Sequence, residues 1–233
     1  EGLTPNTLYH FSITAVDENE NTGRSEDNSF STAIDASGIV SDEFDSPALD
    51  SGVWEVFDPV GDSNVAMTGN QLSIGISEGK NHDIWKDGNF APRVFQRINN
   101  TDFAVEVKID SPLAAQYQGQ GVLIEESDEK FIRIDVYTDG SDVYLFSASF
   151  EGGSPNTHIN KIIPGEAPWF IKILRRMEIW SIEYSFDGES WVKESRFSFD
   201  INARKIGLFA LNTGDPPPEH TAMFDYFRNL GAD

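Results

Sequence analysis

"GQGVLIEESDEKFIRIDVYT", residues 119–138, decides how this chain folds. Its second half alternates: Ile132, Ile134 and Val136 fall on one side of an extended chain, and Phe131, Arg133, Asp135 and Tyr137 on the other. The first half is another strand-like run. The acids between them, Glu125, Glu126, Asp128 and Glu129, read as a solvated hairpin. The aliphatic set is a core face, whereas the opposite set mixes rings with charges and needs its own explanation.

The same signature recurs along the chain. In "FAVEVKI", Val105, Val107 and Ile109 share a face while Glu106 and Lys108 point away. Further short strands are read at "SDEF", "VWEVF", "QLSIGI", "HDIW", "RVFQRI", "VYLFSASF", "WFIKILRR", "IWSIEYSF", "RKIGLFAL" and "AMFDYFR", with turn signals such as "TGN", "TDGSD", "EGGSPN" and "DGES" between them. Only "PLAAQY" has the look of a helical turn. The pattern predicts an all-β, two-sheet antiparallel sandwich.

Composition narrows the function classes. In 233 residues there are 17 Lys plus Arg against 39 Asp plus Glu, a formal charge of −22, which repels nucleic acid and anionic lipid. With no cysteine there is no disulfide, thiolate zinc site or cysteine nucleophile. No apolar run approaches the roughly 20 residues that cross a bilayer, so no membrane span is expected. No signal segment opens the chain, and the true N-terminus is expected upstream.

Residues 8–16, "LYHFSITAV", read as a strand, the turn-rich "DENENTGRS" as a loop, and "NSFST" as a second strand. With Leu3-x-Pro5-x-Thr7-x-Tyr9 ahead of them, residues 1–33 resemble the last part of a fibronectin type III domain, in which such a tyrosine closes a corner onto upstream backbone. The earlier strands of that sandwich are missing, so other domains of the same polypeptide are expected. Residues 34–40 read as a small-residue linker, and 41–233 as a second domain.

The ordered set "DEFD", "QLSI", "HDIW", "FAVEVKI", "GQGVLIEESDEKFIRIDVY", "WFIKILRR", "YSFDGESWV", "KIGLFAL" and "AMFDYFR" is similar to concanavalin A-like jelly rolls of the laminin-G-like superfamily. It is closest to the type appended to β-xylosidases. The resemblance implies a polysaccharide or other glycan as partner, met on a concave sheet face or its rim. It also implies a structural calcium ion tying the domain ends, and an extracellular or cell-surface setting. Asp42, Glu43 and Asp225 stand where that ion would sit, and calcium takes oxygen ligands without a strict local motif.

Catalysis finds less support. Glucanases of this fold carry Glu-x-Asp-x-x-Glu on one strand; from Glu126 the spacing gives Asp128 and then Phe131, so the last acid is missing. The four histidines, His10, His82, His158 and His220, are scattered, without a zinc-hydrolase helix or a serine elbow.

Sugar binding needs ring faces together with planar polar groups. Trp54 and Trp180 read as core, and Trp191 as packing over the turn before it. In "HDIW" alternation puts Asp83 and Trp85 on one face and His82 with Ile84 on the other. Asp83, Trp85, Arg133, Asp135 and Tyr137 are therefore the expected glycan-binding set, with Phe90 or Arg93 at the rim and "TGDPPPEH" as an end wall. The competing reading is an Arg133 salt bridge to Asp83 or Asp135 with Trp85 as a packing lid. Three functions follow: a non-catalytic carbohydrate-binding module, a structural or adhesion module without glycan affinity, or a glycoside hydrolase with an atypical acid pair.

Overall fold

The computed structural model describes residues 8–31, 35–163 and 166–231. Alternating sequence becomes strand almost everywhere, and among the described residues no helix forms. Around residues 8–31 four short strands make two separate pairs: β1 (Leu8–Phe11) with β4 (Asn28–Ser31), and β2 (Thr14–Val16) with β3 (Thr22–Arg24). The stretch expected as one strand is thus broken after Phe11, and the expected loop carries β3. Tyr9 stacks on Phe30 at 5.7 Å, and Leu8, Ile13 and Val16 stay exposed. Leu3, Pro5 and Thr7 of the expected tyrosine corner lie outside the described residues.

The remaining strands are β5 (Glu55–Phe57), β6 (Asn64–Met67), β7 (Leu72–Ile76), β8 (Ile84–Trp85), β9 (Gly88–Asn89), β10 (Arg93–Arg97), β11 (Phe103–Ile109) and β12 (Gln118–Ser127). They continue with β13 (Lys130–Thr138), β14 (Val143–Glu151), β15 (Ser154–Ile163), β16 (Trp169–Arg176), β17 (Ile179–Ser185), β18 (Val192–Ser198), β19 (Lys205–Asn212) and β20 (His220–Gly231). Two seven-stranded antiparallel sheets result, ordered β15-β14-β13-β12-β19-β10-β5 and β18-β17-β16-β11-β20-β7-β6. The non-consecutive neighbours, such as β12 beside β19 and β11 beside β20, are the crossovers of a jelly-roll-like sandwich.

The core lies between the sheets. Ile132, Ile134 and Val136 of the first sheet and Val105, Val107 and Ile109 of the second are fully buried in it, with Trp54, Trp169 and Trp180. Glu106 and Lys108 stay half-exposed on the outer side, as their alternation predicts, and join an ion-paired surface with Lys172, Asp110 and Asp225. Trp191 packs under the Lys172 ammonium, 3.7 Å from the ring centre.

Two expectations fail locally. "PLAAQY" forms only a turn, ending at Tyr117 with φ +64°. The acidic hairpin is solvated at Glu129 but not at Glu125, which is buried and paired with Arg93 at 2.8 Å. The outer face of β13 is buried as well. Phe131 and Asp135 are covered because a distant segment, residues 81–92, folds back across the first sheet.

Candidate functional site

That covering segment is built from its first residue inward. His82 is fully buried, and both ring nitrogens face oxygens: Nδ1 lies 2.9 Å from Asn212 Oδ1, and Nε2 2.8 Å from Asp62 Oδ1. Asn212 donates its own amide to Ser77 O and Pro218 O, which leaves its oxygen aimed at the imidazole. One residue on either side of Asp83, His82 and Ile84 point inward as expected. Ile84 sinks into a second apolar cluster with Ala91, Leu123, Phe131, Phe146, Phe150, Phe209 and Leu211. Lys86 and Asp87 then make the tight turn of the small β8–β9 hairpin, in which Trp85 pairs with Gly88.

Arg133 locks the hairpin to the sheet. Its Nη1 donates to Ile84 O at 2.7 Å, while Nε and Nη2 grip Asp135 at 2.8 and 2.9 Å. The guanidinium also stacks 4.9 Å from the Phe146 ring centre. Asp135, one of the expected glycan-binding residues, is fully buried beneath it. Two residues apart on one strand, Arg133 and Asp135 share a face; with that face covered, their ion pair is internal.

Beside the hairpin a depression of about 390 Å³ remains. Asp83, Trp85, Arg133 and Tyr137 line it together, so four of the five expected residues converge. Tyr117, Phe146, Thr157, Asn160, Leu211 and Thr213 complete the wall. Trp85 is half-buried, its ring edge-on to Phe146 and Phe150 at 6.0 and 5.7 Å. Tyr137 donates its hydroxyl to Asn160 Oδ1 at 2.9 Å and stacks on Tyr144. Burial raises the Asp83 carboxyl above the usual range, against the opposing charge of Arg133, whose Nη1 is 3.9 Å away.

Sequence reasoning missed Tyr117, Asn160 and Thr157. Asn160 and Thr157 lie on β15, whose pairing across the sheet is invisible in local pattern, and Tyr117 sits in a segment read as helical. Thr213, the first residue of "TGDPPPEH", does line one end. Arg93 is not at a rim: it is buried, bonded to Glu125 and Asp128, with Phe57 on its guanidinium. Phe90 is exposed on the hairpin but lies outside the depression.

The expected calcium ligands do not converge. Asp42 accepts from Phe44 N and Trp54 Nε1, both at 2.8 Å; Glu43 is forked onto Arg228 at 2.7 and 2.6 Å; Asp225 holds Lys108 at 2.9 Å. The chain ends of the sandwich are tied by backbone, through the Asp42 to Phe227 bridge. Among the described residues no group of three or more His, Asp and Glu side chains is arranged to hold a metal ion.

Sheet order, core and crossovers define the class: an all-β, jelly-roll-like antiparallel sandwich. No family model and no curated protein matches the chain. Solved structures share its fold. A functionally unknown protein from Saccharomyces cerevisiae matches with a TM-score of 0.64 at 12% identity, over 77% of this chain and 97% of that one. The xylan β-1,4-xylosidase from Bacillus halodurans C-125 matches with 0.63 at 15%, over 93% of this chain and 45% of that one. The CBM2 module of the evolved Dit of Lactobacillus casei BL23 phage J-1 matches with 0.60 at 8%, over 83% and 95%. This chain thus spans less than half the length of the xylosidase, and at such identities the likeness is one of fold.

Proposed function

We propose that the chain is a non-catalytic carbohydrate-binding module of a secreted or surface-exposed, multi-domain, sugar-active protein. The observation that carries this reading is the convergence of Trp85, Tyr117 and Tyr137 with Asp83, Thr157, Asn160 and Thr213 around one depression. Rings offer flat apolar surface to the C–H face of a sugar, and the amide, carboxylate and hydroxyls address its hydroxyls. The sugar-active proteins that share the fold support the same class. Among the described residues Asp83 is the single carboxylate lining the depression, whereas glycoside hydrolysis employs two, so binding is favoured over hydrolysis.

A structural or adhesion module is the second reading. It is favoured by the Arg133–Asp135 ion pair and by the hairpin packed over much of the outer face, and it treats Trp85 as a lid on Phe146 and Phe150. Glycan-array and polysaccharide-pulldown measurements, with calcium and with chelator, separate the two. Binding that disappears in Trp85→Ala while the fold persists establishes the first; silence toward every glycan establishes the second.

A further inference from the structure

We infer that the depression selects uncharged sugars and rejects sugars that carry a carboxylate, an inference that rests on the carbohydrate-binding reading. The cation that would recognise an acidic sugar is present beside the hairpin. It is already committed.

Among the described residues Asp83 and Arg133 are the only charged side chains lining the depression. Arg133 would be the natural partner of a uronate, because a guanidinium grips a carboxylate through two parallel hydrogen bonds. That fork is filled from within the chain. Nε and Nη2 hold Asp135 at 2.8 and 2.9 Å, Nη1 donates to Ile84 O at 2.7 Å, and only 8% of the side chain is exposed. A sugar carboxylate would gain the same fork only by displacing Asp135, which is fully buried on the same strand.

The balance of charge has the same sign. One guanidinium faces two carboxylates, Asp135 at 2.8 Å and Asp83 at 3.9 Å, so negative charge is in excess before any ligand arrives. Asp83 is largely withdrawn from water, and burial, with a smaller push from the like charge of Asp87, raises its carboxyl above the usual range. A second anion beside it is repelled across a few ångströms with little water to screen the pair. Lys161, next to Asn160 on β15, is turned to the opposite sheet, its Nζ bonded to Glu194 at 2.6 Å. The other polar side chains of the wall, Tyr117, Tyr137, Thr157, Asn160 and Thr213, are neutral and matched to hydroxyls.

The test is calorimetric titration of the whole chain with β-1,4-linked xylo-, gluco- and galacto-oligosaccharides of equal length. Beside them stand the gluco- and galacto-forms with every primary hydroxyl oxidised to a carboxylate, and the methyl esters of those oxidised forms. The oxidised gluco-form is also the xylo-form with a carboxylate added to each ring. Sodium chloride at about 1 M shortens the Debye length to about 3 Å and screens the overall charge of −22, leaving the site to decide.

Neutral forms and esters should bind, and the oxidised forms should bind at least about tenfold more weakly. Asp83→Asn, which keeps an oxygen for Ile84 N–H, should narrow that gap; Asp87→Asn, at the exposed turn of the hairpin, should leave it. Oxidised forms that bind as tightly as neutral ones overturn the inference, as do esters as weak as the acids. So do a gap that Asp83→Asn leaves unchanged or that Asp87→Asn narrows equally, and a glycan array on which acidic sugars dominate the bound set. Each of these leaves the carbohydrate-binding reading standing. Silence toward every oligosaccharide and toward the array removes both.

Discussion

Arg133 grips Asp135, two residues along the same strand, through two parallel hydrogen bonds of 2.8 and 2.9 Å, and both side chains are buried under the β8–β9 hairpin. A buried pair of this kind contributes little net stability as a pair, because desolvation offsets the attraction. Removing one partner, however, strands the other charge away from water, at about 3–5 kcal/mol. Asp135→Asn should therefore lower stability by about that amount in urea unfolding. Arg133→Met combined with Asp135→Leu should cost less than either single change. Equal losses for single and double variants would show that the pair is not buried.

Trp85 stands at the wall of the depression in T-shaped contact with Phe146 and Phe150. Its replacement by alanine should weaken glycan binding at least tenfold, about 1.4 kcal/mol, by calorimetry. The melting transition should remain cooperative, since the indole is half-exposed.

His220 carries a pH dependence. It is buried beside Gln120, with Nε2 3.0 Å from Oε1, and burial pushes its pKa from 6.5 down to about 4. The unfolded chain thus binds a proton near pH 6.5 that the folded chain refuses until about pH 4. The stability of the neutral, buried ring is fully present above pH 6.5 and is lost as pH falls toward 4, at about 1.4 kcal/mol per unit. A His220→Asn variant should show a shallower loss than the parent across that window in denaturant titrations. Identical slopes would count against the buried neutral ring.

Gly121 pairs with Asp135 directly under the ion pair, and a Cβ there would run into the Ile134 carbonyl oxygen and the Asp135 backbone. Gly121→Ala should destabilise by about 3 kcal/mol or more through forced backbone displacement in a packed sheet. Gly23→Ala, with nothing within 4 Å of the added carbon, should change stability by less than about 0.5 kcal/mol in the same measurement.

The amino-acid order by itself determined the all-β class and, on β11 and β13, which side of the strand meets the core. A side-chain period of two is local: Ile132, Ile134 and Val136, like Val105, Val107 and Ile109, declare their face within seven residues. It also paired Asp83 with Trp85, and set His82 and Ile84 opposite them, for the same reason. What covers the other face of a strand is not local. Asp135 was legible as the neighbour of Arg133 but not as buried, because the hairpin that Arg133 binds through Ile84 O lies some fifty residues earlier; His82 was legible as sharing a face with Ile84 but not as bonded at both ring nitrogens, because Asp62 and Asn212 reach it from different connections. Burial arises only when distant strands cross and exclude water between them, and so the tertiary structure alone decided that Arg133 and Tyr137 of β13 come to line a depression beside the hairpin.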